Sequence, residues 1–485
     1  MGKVVLVGGG HANVQVLKVL HDKYCFQHPG EVELVLVSSA EVAYYSGMLP
    51  GAIAKQYSPE EIQIELRPLA YSCGAQLIIS EMTALNPASR TIQLSNGSEL
   101  HYDYLVIDIG SRSKGTDSVP GVRQYSLMTR PLQGLMDGVE TRERLFGELG
   151  TVPRVAIVGS GVAGVELAFA FASRWRVLYG PGVEVYLLCA GEEVVPAYPA
   201  PFRSVILRNL AAKHIEVRYN SQVREVTATG VKLTSGAFLP AEATIWATGA
   251  EPQTVDFRLP VCGNGFMLVT PTLQSVQYPN ILGGGDCITI AGQAAGFPPK
   301  AGVYAVREGP VIAANLISLL ESRPLESYSP QSDFLCLINT ADGRALGGKY
   351  GVVFAGPWVW QLKDSIDRSF MTKFSALTLL GPQALTAYRS GASLQATYQL
   401  CEKAKSDYSQ QFGCEEQLNT AASQAALLSP TEAVTLLLAT SDLFASVQCT
   451  HFQLNFEVIK RLGQEDSFRT AVVQLYQEEL LKRLA

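Results

Sequence analysis

Cysteine pairs are missing from this chain. Its nine cysteines stand singly at 25, 73, 189, 262, 287, 336, 401, 414 and 449 of 485 residues. There is no CxxC, and neither the cysteines nor the six histidines fall at metal-ligand spacing, so no metal site is expected. An odd, unclustered set reads as reduced thiols in a reducing compartment. Blocks of like charge are missing too. With 38 Lys and Arg against 44 Asp and Glu, the net charge is −6, which gives nucleic acid no electrostatic footing. No uncharged apolar run reaches the roughly 18 residues of a membrane span. Only Met1 and Gly2 precede the first apolar run, so no targeting peptide is expected, and Leu6 stands where myristoylation requires Ser or Thr. These absences leave a cytoplasmic, globular chain whose partners are small molecules.

Glycine, by contrast, is placed with purpose. KVVLV (3–7) is a short apolar run that reads as a buried parallel strand. GGGHAN follows, then a helical stretch with apolar residues at Val14, Leu17, Val19 and Leu20, then a second strand, EVELVLVSS. This is a βαβ unit with glycines at its first turn, where helix N–H groups face a phosphate and a side chain would block its approach. Gly8 and Gly10 are in place, but Asn13 stands at the third glycine position. The pattern recurs intact some 150 residues on: RVAIV (154–158), then Gly159, Gly161 and Gly164 with Val162 and Ala163 between them, then VEVYLL. Two apolar strands end in Gly110 and Gly249, and a late one delivers Asp286 behind three glycines. Ligands gather at the carboxyl ends of parallel strands, and a carboxylate there suits a sugar hydroxyl.

In this order the motifs resemble the flavoprotein superfamily with two dinucleotide-binding domains. That resemblance implies an α/β fold of two Rossmann-like domains, the second inserted in the first, and an enzyme passing hydride from NAD(P)H to flavin. It assigns Gly8, Gly10, His11, Ala12, Asn13, Ser38, Tyr45, Gly110 and Asp286 to FAD, and Gly159, Gly161, Val162, Ala163, Gly164, Glu192 and Gly249 to the nicotinamide cofactor. No basic residue follows VEVYLL, whereas Glu192 and Glu193 do, so NADH is favoured over NADPH. The disulfide-reductase branch needs a CxxxxC pair where this chain has AYYSGMLPGAIA. The sequence is similar instead to type II NADH dehydrogenases, and more so, over residues 1–375, to the FAD/NAD(P) domain found fused to selenide, water dikinase. The dikinase domain itself is absent here.

That likeness implies Lys300 and Glu166 as catalytic residues, and a quinone or other small molecule as electron acceptor. A reductase of selenium or sulfur metabolism and a redox-sensing flavoprotein are the alternatives. The organisation expected is FAD domain 1–120 and 256–325, NAD(P)H domain 121–255, an interface segment 326–375 and a helical extension 376–485. Trp358, Leu362, Ile366, Phe370 and Phe374 form one helical stripe, with Lys363 off it. Packing onto the flavin domain is expected of this stripe first, ahead of a homodimer or protein partner and of peripheral membrane contact. Around Pro298 and Pro299 a loop leads into a helix whose inner face is expected to include Val303, Val306 and Ile312.

Overall fold

The computed structural model describes residues 2–403 except 256, 295–296, 332–334, 350–351, 394–395 and 398. The chain divides into two compact units, Met1–Tyr398 and Gln399–Ala485, and the strands and helices that carry the site lie in the first. Residues 404–485 of the expected helical extension lie outside the described residues.

Strand β1 (Gly2–Val7) leads through the glycine turn into helix α1 (His11–Leu20) and on to β2 (Val32–Ser38). Helix α2 (Leu66–Ser72), β3 (Gln76–Ile79) and β4 (Tyr104–Ile107) follow. The chain then leaves this sheet for a second one, made of β5 (Ser126–Met128), β6 (Arg154–Val158), β7 (Glu184–Leu188), β8 (Ile215–Arg218) and β9 (Ala243–Trp246). Helix α3 (Val162–Tyr179) joins β6 to β7. Strand β10 (Ile281–Gly283) returns to the first sheet, giving the orders β10-β4-β1-β2-β3 and β5-β9-β6-β7-β8, all pairs parallel. A short antiparallel pair, Arg112–Ser113 with Ala250–Glu251, carries both crossings between the sheets. One sheet is therefore inserted within the other.

Parallel strands covered on both faces are apolar throughout. Val4, Val5 and Leu6 are fully buried, as are Val155, Ala156 and Ile157 of β6. On α1 the buried apolar residues are Ala12, Val14, Val16, Leu17 and Leu20, with Val16 in place of the expected Val19. Helix α4 (Gly302–Leu320) packs along α1, and a Cβ on Gly309 would come within 2.9 Å of the Ala12 carbonyl. By length and composition α4 would pass for a membrane span, but it lies mostly buried against this layer. Its inner face runs through Ala305, Glu308, Ile312 and Leu316; Val303 and Val306 are only partly covered, because the helix is turned to bring Glu308 and Gly309 against α1.

Strands β11 (Cys336–Asn339), β12 (Ala345–Lys349) and β13 (Val352–Gly356) form an antiparallel sheet that feeds α5 (Pro357–Thr372). The expected apolar stripe of α5 is overturned in its first half. Trp358, Leu362 and Ile366 are 45%, 37% and 44% exposed, while Phe370 and Phe374 are buried. The inward face is Val359, Lys363, Asp367, Phe370 and Met371. Lys363 Nζ and Asp367 Oδ2 pair at 2.7 Å, and Nζ also donates to the Gly47 carbonyl at 2.7 Å. A satisfied ion pair can thus occupy a core position that apolar counting assigns elsewhere. Helix α6 (Ala376–Arg389) belongs to the first unit, with Tyr388 edge-on to Tyr71 of α2 at 5.4 Å.

Candidate active site

Both glycine turns are shaped by what lies behind them. Gly8 has φ +96°, and a Cβ there would stand 2.1 Å from the Asp108 carbonyl. Gly159 has φ +116°, and its Cβ would stand 2.3 Å from the Ala247 carbonyl. In each case a left-handed turn lets the strand pass close to the neighbouring strand end before a helix starts. Gly10 and Gly161 are the N-caps of α1 and α3, with no side-chain cap of their own. Gly164 packs so tightly that a Cβ would meet the Gly159 carbonyl at 1.9 Å.

Asn13 meets the same geometry by other means. It is fully buried, and its Nδ2 donates to the carbonyls of Val7 at 3.0 Å and Gly8 at 2.9 Å. The side chain ties helix to turn instead of letting them touch. Asn13→Gly is expected to lose both bonds and to place a glycine in the first turn of α1, lowering stability by about 2–3 kcal/mol while FAD stays bound. Denaturant unfolding checks this, and an unchanged midpoint would count against it.

The two turns open on one cavity of about 1170 Å³. Of the expected residues, Gly8, Gly10, His11, Ser38, Gly110, Asp286 and Lys300 line it on the first side, and Gly159, Gly161, Ala163 and Gly249 on the second. The others do not. Ala12 and Asn13 lie beneath the turn, their N–H groups donating to Asp108 Oδ2 at 2.8 and 3.0 Å. Val162 is half-buried beside the second turn, Gly164 packs against it, and Glu192 is exposed on the loop after β7. Tyr45 turns away from the cavity to stack on Phe370 at 4.7 Å and to donate to Asp367 Oδ1 at 3.1 Å, leaving the wall to Tyr44 and Ser46.

Glu166 is also outside the cavity. One turn into α3, its Oε1 accepts the Asn339 N–H at 2.8 Å. Burial raises its pKa to about 7, with Lys363 and the Asn339 N–H opposing. Glu166 thus sits in a polar cluster with Lys363 and Asp367. His11 lies 5.4 Å from the Tyr45 ring and 6.2 Å from Phe370, and burial holds it down to about 4 against the pull of Asp286. Lys300 bonds the Ile288 carbonyl and lies 4.4 Å over the Phe266 ring; desolvation lowers its pKa.

Several polar cavity residues lie outside the sequence reading, and three of them bear on the first turn and on Asp286. Arg130 pairs with Asp286 Oδ2 at 3.1 Å, Ser111 Oγ donates to the same oxygen at 2.8 Å, and Asp108 sits behind the first turn. Arg130 lies in the segment leaving β5, where no motif marks it. Asp108 directly follows β4 and reads in the sequence as an ordinary strand end.

The paired cradles fit two dinucleotides: glycines at the close approaches, a helix N-terminus at each, and one space shared between them. Comparison with known proteins agrees. Residues 2–309, more than half of the chain, match the family described as pyridine nucleotide-disulphide oxidoreductase.

The chain belongs to the pyridine nucleotide-disulphide oxidoreductase family.

It is an NAD(P)H dehydrogenase with FAD and NAD(P)H as its cofactors. It is 25% identical to demethylphylloquinone reductase of Synechocystis sp. over 73% of this chain and 88% of that one. It is 24% identical to the type II NADH:quinone oxidoreductase of Haemophilus influenzae over 72% and 88%. The solved structure of NDH2 from Plasmodium falciparum with NADH superposes with a TM-score of 0.64 at 15% identity, covering 77% of this chain and 98% of that one, a likeness of fold.

Proposed function

We propose that this oxidoreductase passes electrons from NAD(P)H to a quinone at a membrane surface. The observation that carries the reading is the single cavity lined by both glycine turns. Bound FAD supplies a two-electron carrier between nicotinamide and acceptor. The chain's own residues hold the partners and exclude water. Asp286, anchored by Arg130 and Ser111, presents a carboxylate to a ribityl hydroxyl. Lys300 brings a partly desolvated cation to the cavity wall. Glu166, with its raised pKa, holds a proton near neutrality beside Lys363 and Asp367 and is a positioning residue for this wall.

Two features support a quinone as acceptor. Relatives carry quinone or phylloquinone reduction in their names. The outward face of α5 shows Trp358, Leu362 and Ile366, continued by exposed Val352 and by Phe354 stacked on Trp358 at 5.3 Å. Such an apolar helix face suits the headgroup boundary of a bilayer, where a lipid-soluble quinone is found.

Anaerobic spectra test the first half: the purified yellow protein is expected to bleach with NADH or NADPH and to recolour with a short-chain quinone. Failure of both nucleotides to bleach it overturns the reading, and recolouring only by selenium or sulfur species replaces the acceptor. Flotation with phospholipid vesicles tests the second half. A triple variant with Trp358, Leu362 and Ile366 changed to Ser is expected to lose vesicle binding while turnover with soluble quinone is kept.

A further inference from the structure

Behind the first glycine turn lies a carboxylate that the cofactor must contend with. Asp108 follows β4, is 3% exposed, and its Oδ2 accepts the N–H groups of Ala12 and Asn13 at the very start of α1. A Cβ on Gly10 would fall 2.3 Å from Oδ2, and one on Gly285 would fall 2.4 Å from Oδ1, so the carboxyl is clamped between the two glycine segments of the FAD side. It also lines the cavity. The start of a helix that follows a glycine turn is the place where a pyrophosphate lies. An ionised Asp108 would thus claim the same N–H groups and repel the same charge.

We propose that Asp108 is an FAD-binding residue that acts as a neutral carboxylic acid, so that FAD association takes up one proton. Protonated, the carboxyl accepts weakly, frees the α1 N–H groups for phosphate oxygens, and offers its own O–H as a further donor. Ionised, it caps α1 itself. No covalent bond changes; one proton moves from solvent to Asp108 as the cofactor enters.

The surroundings favour the acid. Burial raises the Asp108 pKa to about 7, with the Asn13 and Ala12 N–H groups opposing and Asp286 adding to the rise. From α4 it faces Glu308, fully buried, whose Oε2 accepts the Gly285 N–H at 2.6 Å and whose Oε1 has no hydrogen-bond partner. Burial lifts Glu308 to about 8. From the segment after β10 it faces Asp286 and the thiol of Cys287, which burial raises. The cations nearby are engaged elsewhere: Arg130 on Asp286, Lys300 at the Ile288 carbonyl. From α1, His11 is held neutral by burial at neutral pH.

The test is FAD affinity of the full-length chain, stripped of flavin and reloaded, measured by quenching of flavin fluorescence from pH 6 to 9. The affinity of the unaltered chain is expected to be level below about pH 7 and to fall by up to about tenfold per pH unit above it. Calorimetry in two buffers of different ionisation heat should give uptake of one proton at pH 8. Asp108→Asn, which keeps a neutral donor, is expected to flatten the profile and to bind FAD more tightly than the unaltered chain at pH 9. Glu308→Gln should keep the slope, because Glu308 does not line the cavity. A level profile in the unaltered chain overturns the proposal, and needs no variant to fold. A slope that survives Asp108→Asn but vanishes in Glu308→Gln overturns it equally. FAD bound at one pH but not another leaves the family assignment untouched.

Discussion

Gly10→Val is expected to yield a protein that purifies colourless. A Cβ at this position would stand 2.3, 2.4 and 2.5 Å from three atoms of the Asp108 carboxyl group. That carboxyl is buried and held by two backbone N–H groups, so it cannot swing aside as a surface side chain would. The valine branches would also stand over the start of α1, closing the approach to its N–H groups. Loss of the phosphate contact is expected to weaken FAD by at least about 100-fold, equivalent to roughly 2.7 kcal/mol. The absorbance of the purified protein near 450 nm relative to 280 nm reads the outcome. A yellow variant with full flavin occupancy would show that the first turn is not where the cofactor is held. Far-ultraviolet circular dichroism separates cofactor loss from misfolding, since the cavity sits at the strand ends and not in the core.

The second large effect concerns stability. Lys363→Met is expected to destabilise the first unit by about 3–5 kcal/mol. The side chains of Lys363 and Asp367 are 8% and 6% exposed. Burial pulls the Lys363 pKa down, but Asp367 and Glu166 outweigh it and the net shift is upward. Removing the lysine leaves Asp367 buried with, among the described residues, only the Tyr45 hydroxyl as side-chain donor, and leaves the Gly47 carbonyl without its 2.7 Å partner. Each is a desolvated group without compensation, which is the costly case. A variant in which Lys363 becomes Met and Asp367 becomes Leu removes both charges together, and is expected to recover much of the loss. Chemical unfolding of both variants decides the matter. Equal losses in the two would mean that the pair matters for packing and not for charge.

This ion pair marks where reading by periodicity fails. Hydropathy spacing of four aligned Trp358, Leu362 and Ile366 with Phe370 and Phe374, and the natural inference is that the whole stripe faces inward. The structure splits it, burying the last two and turning the first three out. Lys363 and Asp367, one helical turn apart, satisfy one another, and a charged pair then costs less to bury than isolated charges would. Nothing in a hydropathy pattern registers a partner such as the Gly47 carbonyl, 316 residues away.

The glycine turns stand at the opposite pole. Their spacing, the short apolar strands before them and the helices after them are local, and local geometry dictates them. A left-handed turn demands glycine at Gly8 and Gly159 because the next strand end approaches within reach of a Cβ. The intact second turn needs Gly164 for a different reason, because a Cβ there would meet the Gly159 carbonyl at 1.9 Å. The sequence alone therefore determined two nucleotide loops, their order and the α/β class. It did not determine Asn13's role, because the bonds to Val7 and Gly8 depend on how far α1 stands from β1. Likewise it marked Tyr45 for FAD and Glu166 for catalysis, and tertiary packing turned Tyr45 towards α5 and Glu166 towards β11. What only the folded chain decided was long-range: Arg130 on Asp286 across 156 positions, Asp108 under a helix that begins 97 residues earlier, and the charged inner face of α5. Backbone turns are set by neighbours in sequence, whereas the charge and solvation of a buried side chain are set by whatever the fold brings against it.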